Sequence, residues 1–176
     1  MHRFLQCAAL IAAVSAPCLA QVSESEAQSL NSSGFASPLE VRDALNAWRG
    51  ENGSNWRSEF ASDTGYGRFL FGGSVTAPFT PKTNGDFEAL GRISIGEAYD
   101  IMGLSPANLE LDSVNFLPLG LIGTTDKTSV QFQQFVGGVK VEGGFVNTLF
   151  NQQGQLLSID TVGLPDSVLP ASVVPT

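Results

Sequence analysis

The chain has 176 residues, a formal net charge of −8, 43% hydrophobic residues and 15% charged ones. That length allows one ordinary domain or two small ones and excludes a large multidomain enzyme. Nine basic against seventeen acidic residues leave no cationic stripe for phosphates, so no nucleic-acid partner is expected.

The first twenty residues, MHRFLQCAALIAAVSAPCLA, open on His2 and Arg3 and run apolar over 4–14 apart from Gln6. They close on small residues, with Ala20 before Gln21. This is the three-part pattern of a secretory signal peptide, residues 1–20. The stretch is shorter than a membrane span of about 20 apolar residues. The expected location is secreted or periplasmic, with no membrane contact after cleavage. Pro17 directly before Cys18 fits a lipid-modified cysteine poorly.

Removing this segment leaves 156 residues and a net charge of −9, since Arg3 goes with it. His2, Cys7 and Cys18 also go, so the remainder holds no histidine and no cysteine. That excludes Ser-His-Asp and Cys-His catalysis, Cys/His zinc sites and the HExxH helix, and any disulfide. No catalytic residue, metal site or cofactor is expected.

Residues 21–36 are polar and Ser-rich, the composition of a flexible arm. Ser37-Pro38-Leu39-Glu40 predicts a helix start with a capping box. Leu39, Val41, Leu45 and Trp48 form its apolar face, and Gly50 is the expected stop. Two short strands at 55–61 and 68–71 flank the turn-rich 62–65, and 72–81 reads as an irregular connector. A helix is predicted over 83–103, with Thr83 and Asp86 at its start and Gly103 at its end. Gly91 and Gly96 lower its propensity by about 1 kcal/mol each, which implies a small residue facing a sheet. A strand is predicted over 109–116, then a loop or apolar plug at 119–123. Three β-rich runs follow at 128–136, 139–150 and 155–161. Gly137-Gly138 separates the first two as a hairpin turn, and a turn ending in Gly154 separates the next two. Apolar parity shifts at Gly143-Gly144, which predicts a bulge or tight bend. The Pro-containing tail 164–176 reads as an extended linker.

Residues 129–162, SVQFQQFVGGVKVEGGFVNTLFNQQGQLLSIDTV, carry an ordered pattern. It comprises a Gln131-Phe132-Gln133-Gln134 strand, the Gly138-Val139-Lys140-Val141 sequel to a glycine turn, a long strand over 145–150, and Gly154. This pattern resembles the fungalysin/thermolysin propeptide domain. Met102-Gly103-Leu104 and Leu109-Glu110-Leu111 also fit the helix and first strand that the family places before this meander. Lys140 departs from the usual Pro, and Gln131 from the frequent Arg. The resemblance implies a non-catalytic prodomain that packs on a zinc peptidase domain, holds it inactive and assists its folding. The partner is then a metallopeptidase catalytic domain, in cis if this chain is a truncated precursor or in trans if it acts alone. Gln131, Gln133, Gln134, Lys140 and Glu142 are the candidate partner-binding residues. Gly137, Gly138 and Gly154 are the structural turns. The expected class is α+β: an antiparallel β-meander curved around a helix (83–163), preceded by a smaller helix-hairpin segment (37–82).

Other motifs have ordinary readings beside functional ones. Asp63-Thr64-Gly65 matches one half of an aspartic-protease dyad, and equally a turn. Glu97 with Asp100 and Glu110 with Asp112 suit carboxylate catalysis or calcium, and equally solvated surfaces. Trp48, Trp56, Phe60, Phe69 and Phe71 suit a sugar-stacking platform, and equally a packed core. The alternative function is therefore a secreted or envelope-associated binding module for a carbohydrate or protein ligand. An enzyme using paired carboxylates is a third reading.

Overall fold

The structure, a computed structural model, describes residues 36–170. The expected signal peptide, nearly all of the arm, and the last six residues of the tail lie outside the described residues.

Helix α1 spans Pro38–Asn52. Val41, Leu45 and Trp48 recur at helical spacing and are buried. Leu39 lies two positions before Val41, on the opposite side, and is 56% exposed. The expected capping box does not form, because the Ser37 side chain makes no cap hydrogen bond. The start rests instead on Pro38, whose fixed φ suits the first helical position. The helix also passes through Gly50 and ends at Gly53, where φ is 104° and the N–H bonds back to the Arg49 carbonyl.

Strands β1 (Arg57–Phe60) and β2 (Gly67–Val75) form the predicted hairpin. β2 is longer than expected. Past a register shift it continues to pair with the last strand, Val75 opposite Leu156, so the first four residues of the supposed connector are strand.

Helix α2 (Asn84–Glu97) begins with a complete capping box between Thr83 and Asp86. The Asp86 carboxylate accepts from the Lys82 and Thr83 N–H groups at 2.8 and 2.9 Å, and these bonds hold it below the usual carboxylate pKa. The single helix expected over 83–103 is broken at Ala98, where ψ is 8°. A short turn, α3 (Tyr99–Met102), follows and stops at left-handed Gly103. Ala98, Ile101 and Met102 are all buried.

The remaining strands are β3 (Leu109–Leu117), β4 (Lys127–Val136), β5 (Val139–Asn151) and β6 (Leu156–Thr161). All six strands make one antiparallel sheet in the order β1-β2-β6-β5-β4-β3. The class is α+β. The N-terminal hairpin is therefore continuous with the later meander, through β2 on the free edge of β6. One core joins Leu45, Trp48 and Trp56 to Leu90, Ile95, Phe132, Phe150 and Ile159. The β3–β4 connection is not a buried plug: Leu121 and Ile122 are 97% and 76% exposed.

Helix α2 seats on the sheet at Gly91. A Cβ there would lie 2.8–2.9 Å from the Phe132 ring and 3.2 Å from Thr148 Oγ1. Arg92 completes the seat. It pairs with Glu88 at 2.9 Å, donates to the Pro106 and Leu109 carbonyls, and lies 5.2 Å from the Phe132 ring centroid. Gly96, by contrast, is exposed and meets only Pro106 at ordinary contact distance, so facing the sheet explains Gly91 alone. Gly91→Val should lower stability in urea unfolding by about 1–3 kcal/mol, the usual cost of overpacking. Gly96→Ala should be neutral or stabilising by up to about 1 kcal/mol. Equal midpoints for the wild type and Gly91→Val would show that the seat is not tight.

Candidate functional site

β4 alternates strictly. Thr128, Val130, Phe132 and Gln134 are buried, while Ser129, Gln131 and Gln133 are half-buried on the opposite face. β5 follows the same rule with Val146, Thr148 and Phe150 inside and Phe145, Asn147 and Leu149 outside. Period-two geometry therefore gathers the outward residues of five strands into cross-strand rows. One row runs Ser113, Gln131, Asn147, Asp160, Phe69. The next runs Asn115, Ser129, Leu149, Ser158, Phe71. Ser129 and Asn147 are hydrogen bonded at 2.6 Å, and Phe69 stacks on Phe71 with centroids 4.5 Å apart. The face offers amides, hydroxyls and an aromatic end. The rows continue onto β1, where Glu59 lies opposite Phe69 and Arg57 opposite Phe71, so their charged groups, Asp160, Glu59 and Arg57, gather at the β6–β2–β1 end.

The five candidate binding residues fall into separate places. Gln131 lies on this open face, with no side-chain hydrogen bond among the described residues. Gln133 is drawn into the bulge. β4 advances from Gln133 to Phe135 while β5 retreats from Phe145 to Lys140, so 141–144 bow out of the ladder. The Gln133 side-chain nitrogen fills the bow, 2.6 Å from the Gly144 carbonyl and 2.7 Å from that of Val141. Gln134 points the other way and is fully buried. Its amide donates to the Leu164 carbonyl at 2.7 Å and accepts from the Leu164 N–H at 2.9 Å, mimicking a strand partner. Lys140 and Glu142 are exposed at the hairpin end.

The turn glycines occupy turns. Gly137 and Gly138 have φ of 57° and 80°, the sign that a type I′ hairpin turn requires at both central residues. Gly154 also has positive φ and is packed against Pro81 and Leu90.

The Gln134 clasp has a second half. The Asp166 N–H donates to the Gly103 carbonyl at 2.7 Å, and its carboxylate accepts from Ser105 N–H and Asn108 Nδ2. Residues 164–166, expected as the start of an extended linker, are thus fastened to the body. Sequence reasoning missed this intramolecular use of the two glutamines. The available signal was the parity shift at Gly143-Gly144, because a bulge leaves carbonyls that need a donor.

The remaining motifs lie apart from the face or beneath it. Asp63 is exposed in the β1–β2 turn. Glu97, Asp100, Glu110 and Asp112 are exposed. Among the described residues no three of His, Cys, Asp and Glu are grouped to hold a metal. Trp48 and Trp56 are buried and meet edge to face at 5.6 Å. They leave the proposed sugar platform with only Phe60, Phe69 and Phe71 near the surface.

Residues 124–160, which contain β4, β5 and most of β6, match the Fungalysin/Thermolysin Propeptide Motif. That motif marks propeptide modules of thermolysin- and fungalysin-type peptidases. No curated protein and no solved structure matches the chain.

Gln134→Ala should cost about 1–3 kcal/mol in urea unfolding, because the Leu164 N–H and carbonyl lose their partner. Gln131→Ala should change stability by no more than about 0.5 kcal/mol. The reverse order would move the structural role to Gln131.

Proposed function

We propose that the chain is a non-catalytic, secreted propeptide-like module. It binds a thermolysin- or fungalysin-type metallopeptidase, restrains it, and assists its folding. The observation that carries this reading is the coincidence of the motif at 124–160 with the β4–β5–β6 meander, whose outer face is open. Gln131 stands on that face, with Asn147 and Ser129 beside it. Lys140 and Glu142 extend the contact at the hairpin end. Gln133 and Gln134 support it from within by setting the bulge and the clasp. Burial of a flat polar face against a partner needs its amides satisfied by that partner, which gives specificity more than raw affinity. The zinc and the reacting groups belong to the peptidase. The module can stand before a peptidase domain in one chain or meet it as a separate protein.

The test is a titration of the purified chain, lacking residues 1–20, into a thermolysin-type peptidase hydrolysing a small fluorogenic substrate. Saturable inhibition is expected. The double variant Gln131→Lys/Asn147→Lys should weaken it at least about tenfold, as two charges are buried without partners. Unchanged hydrolysis at large molar excess, together with no gain in refolding yield of the denatured peptidase, contradicts the proposal.

A further inference from the structure

The six-stranded sheet ends on β1 at one side and on β3 at the other. A free strand edge offers unpaired backbone N–H and C=O groups, and folded proteins blunt such edges with short length, charge or a bulge. β1 is blunted: it has four residues, of which Arg57 and Glu59 are charged. β3 is blunted over its first half only. Glu110 and Asp112 are exposed there, and the register shift between Leu111 and Ser113 makes Asp112 a bulge. The second half, Ser113 to Leu117, pairs residue for residue with β4. No charged residue occurs over 113–125. Among the described residues no strand covers its far side.

This half-strand also carries uncovered apolar surface. Val114 and Phe116 lie opposite Val130 and Thr128, which are buried, so both belong to the helix-bearing face. α2 leaves them partly bare: Val114 is half-buried and Phe116 is 62% exposed. Ser113 and Asn115 lie on the open face, opposite Gln131 and Ser129. Just beyond the strand, Leu121 and Ile122 project into solvent. Their turn is braced, since Asp126 accepts from the Gly120 N–H at 2.9 Å and from Gln152 Nε2 at 3.0 Å.

We propose that residues 113–117 pair antiparallel with the same segment of a second copy of this chain, about a two-fold axis at Asn115, so that the two sheets join edge to edge. The occupant is a strand, because another backbone is what satisfies a row of free N–H and C=O groups. A second copy fits because the segment is its own complement. Centred on Asn115, the register sets Val114 against the other copy's Phe116 on the helix-bearing face, and Ser113 against its Leu117 on the open face. Every residue in the match is uncharged, so no like charges meet. Centring on Val114 would instead set Asp112 against Phe116. The two-fold axis makes each contact twice. Antiparallel pairing also brings each copy's Leu121–Ile122 turn to the other's Leu111, which is 39% exposed. The segment lies outside 124–160, so its test stands apart from the peptidase reading.

Sedimentation velocity of the purified chain, from micromolar to millimolar concentration, should show a monomer–dimer equilibrium, weak because the contact is short. Asn115 stands opposite itself across the axis. Asn115→Asp and Asn115→Lys should therefore each weaken the dimer at least about fivefold by setting like charges face to face. An equimolar mixture of the two variants should restore it, which a folding defect could not do. Phe116→Ser should weaken it at least about tenfold, since the ring is lost twice. Leu39→Ser, at an exposed leucine of α1, should leave it unchanged. A chain that stays monomeric throughout overturns the proposal. So does a dimer insensitive to the Asn115 variants, or a mixture no tighter than either variant alone. Equal loss with Leu39→Ser would show unspecific adhesion and also overturn it. So would a monomer whose β3 amides gain exchange protection only with an added thermolysin-type peptidase, which would assign the edge to that peptidase.

Discussion

Carbonyl groups left over by the β4–β5 bulge converge on one side-chain amide, that of Gln133, and much of the molecule follows from that convergence. Buried backbone acceptors need donors, and a bulge deprives its own strand of them. With 141–144 bowed out, Gln133 restores the missing donor at 2.6 and 2.7 Å. The next residue, Gln134, then falls on the inner face by period two. Gly144 leaves room for its Oε1, which a Cβ there would approach to 3.0 Å, and the amide takes both polar groups of Leu164. Two adjacent glutamines thus brace opposite sides of one sheet.

That bracing defines what remains available outside. The inner face is committed to α2, through the close seat of Gly91 on Phe132, and to the clasped segment after β6. The outer face keeps its rows of Ser, Asn and Gln with the Phe69–Phe71 stack at one end. The side-chain amides and hydroxyls cluster on β3, β4 and β5 of this face, and the motif match covers β4, β5 and most of β6. The N-terminal hairpin is part of the same sheet, so it adds the aromatic end of that surface.

Much of this was legible in the sequence because it rests on local rules. Period-two alternation located β4 to β6, paired glycines located the hairpin turn, and Thr83 with Asp86 located the start of α2. The parity shift at Gly143-Gly144 announced the bulge. Three features were not legible. β2 runs to Val75 because a partner strand 81 positions later offers pairing at Leu156. α1 outlasts Gly50 because glycine permits a stop without requiring one. The glutamine side chains are taken up within the chain because the hairpin bulge places the Val141 and Gly144 carbonyls beside Gln133, and the segment after β6 places Leu164 beside Gln134. A Gln-rich strand looks adhesive in one dimension; here two of its three amides are already used.

Cross-saturation NMR tests the central claim, that the open face of the meander is the docking surface, most directly. The chain would be deuterated and bound to a protonated thermolysin-type peptidase. Saturation should reach the side-chain amides of Gln131 and Asn147 and leave that of Gln134 and the α1 residues untouched. Saturation confined to α1 and α2, with Gln131 and Asn147 silent, would contradict the account.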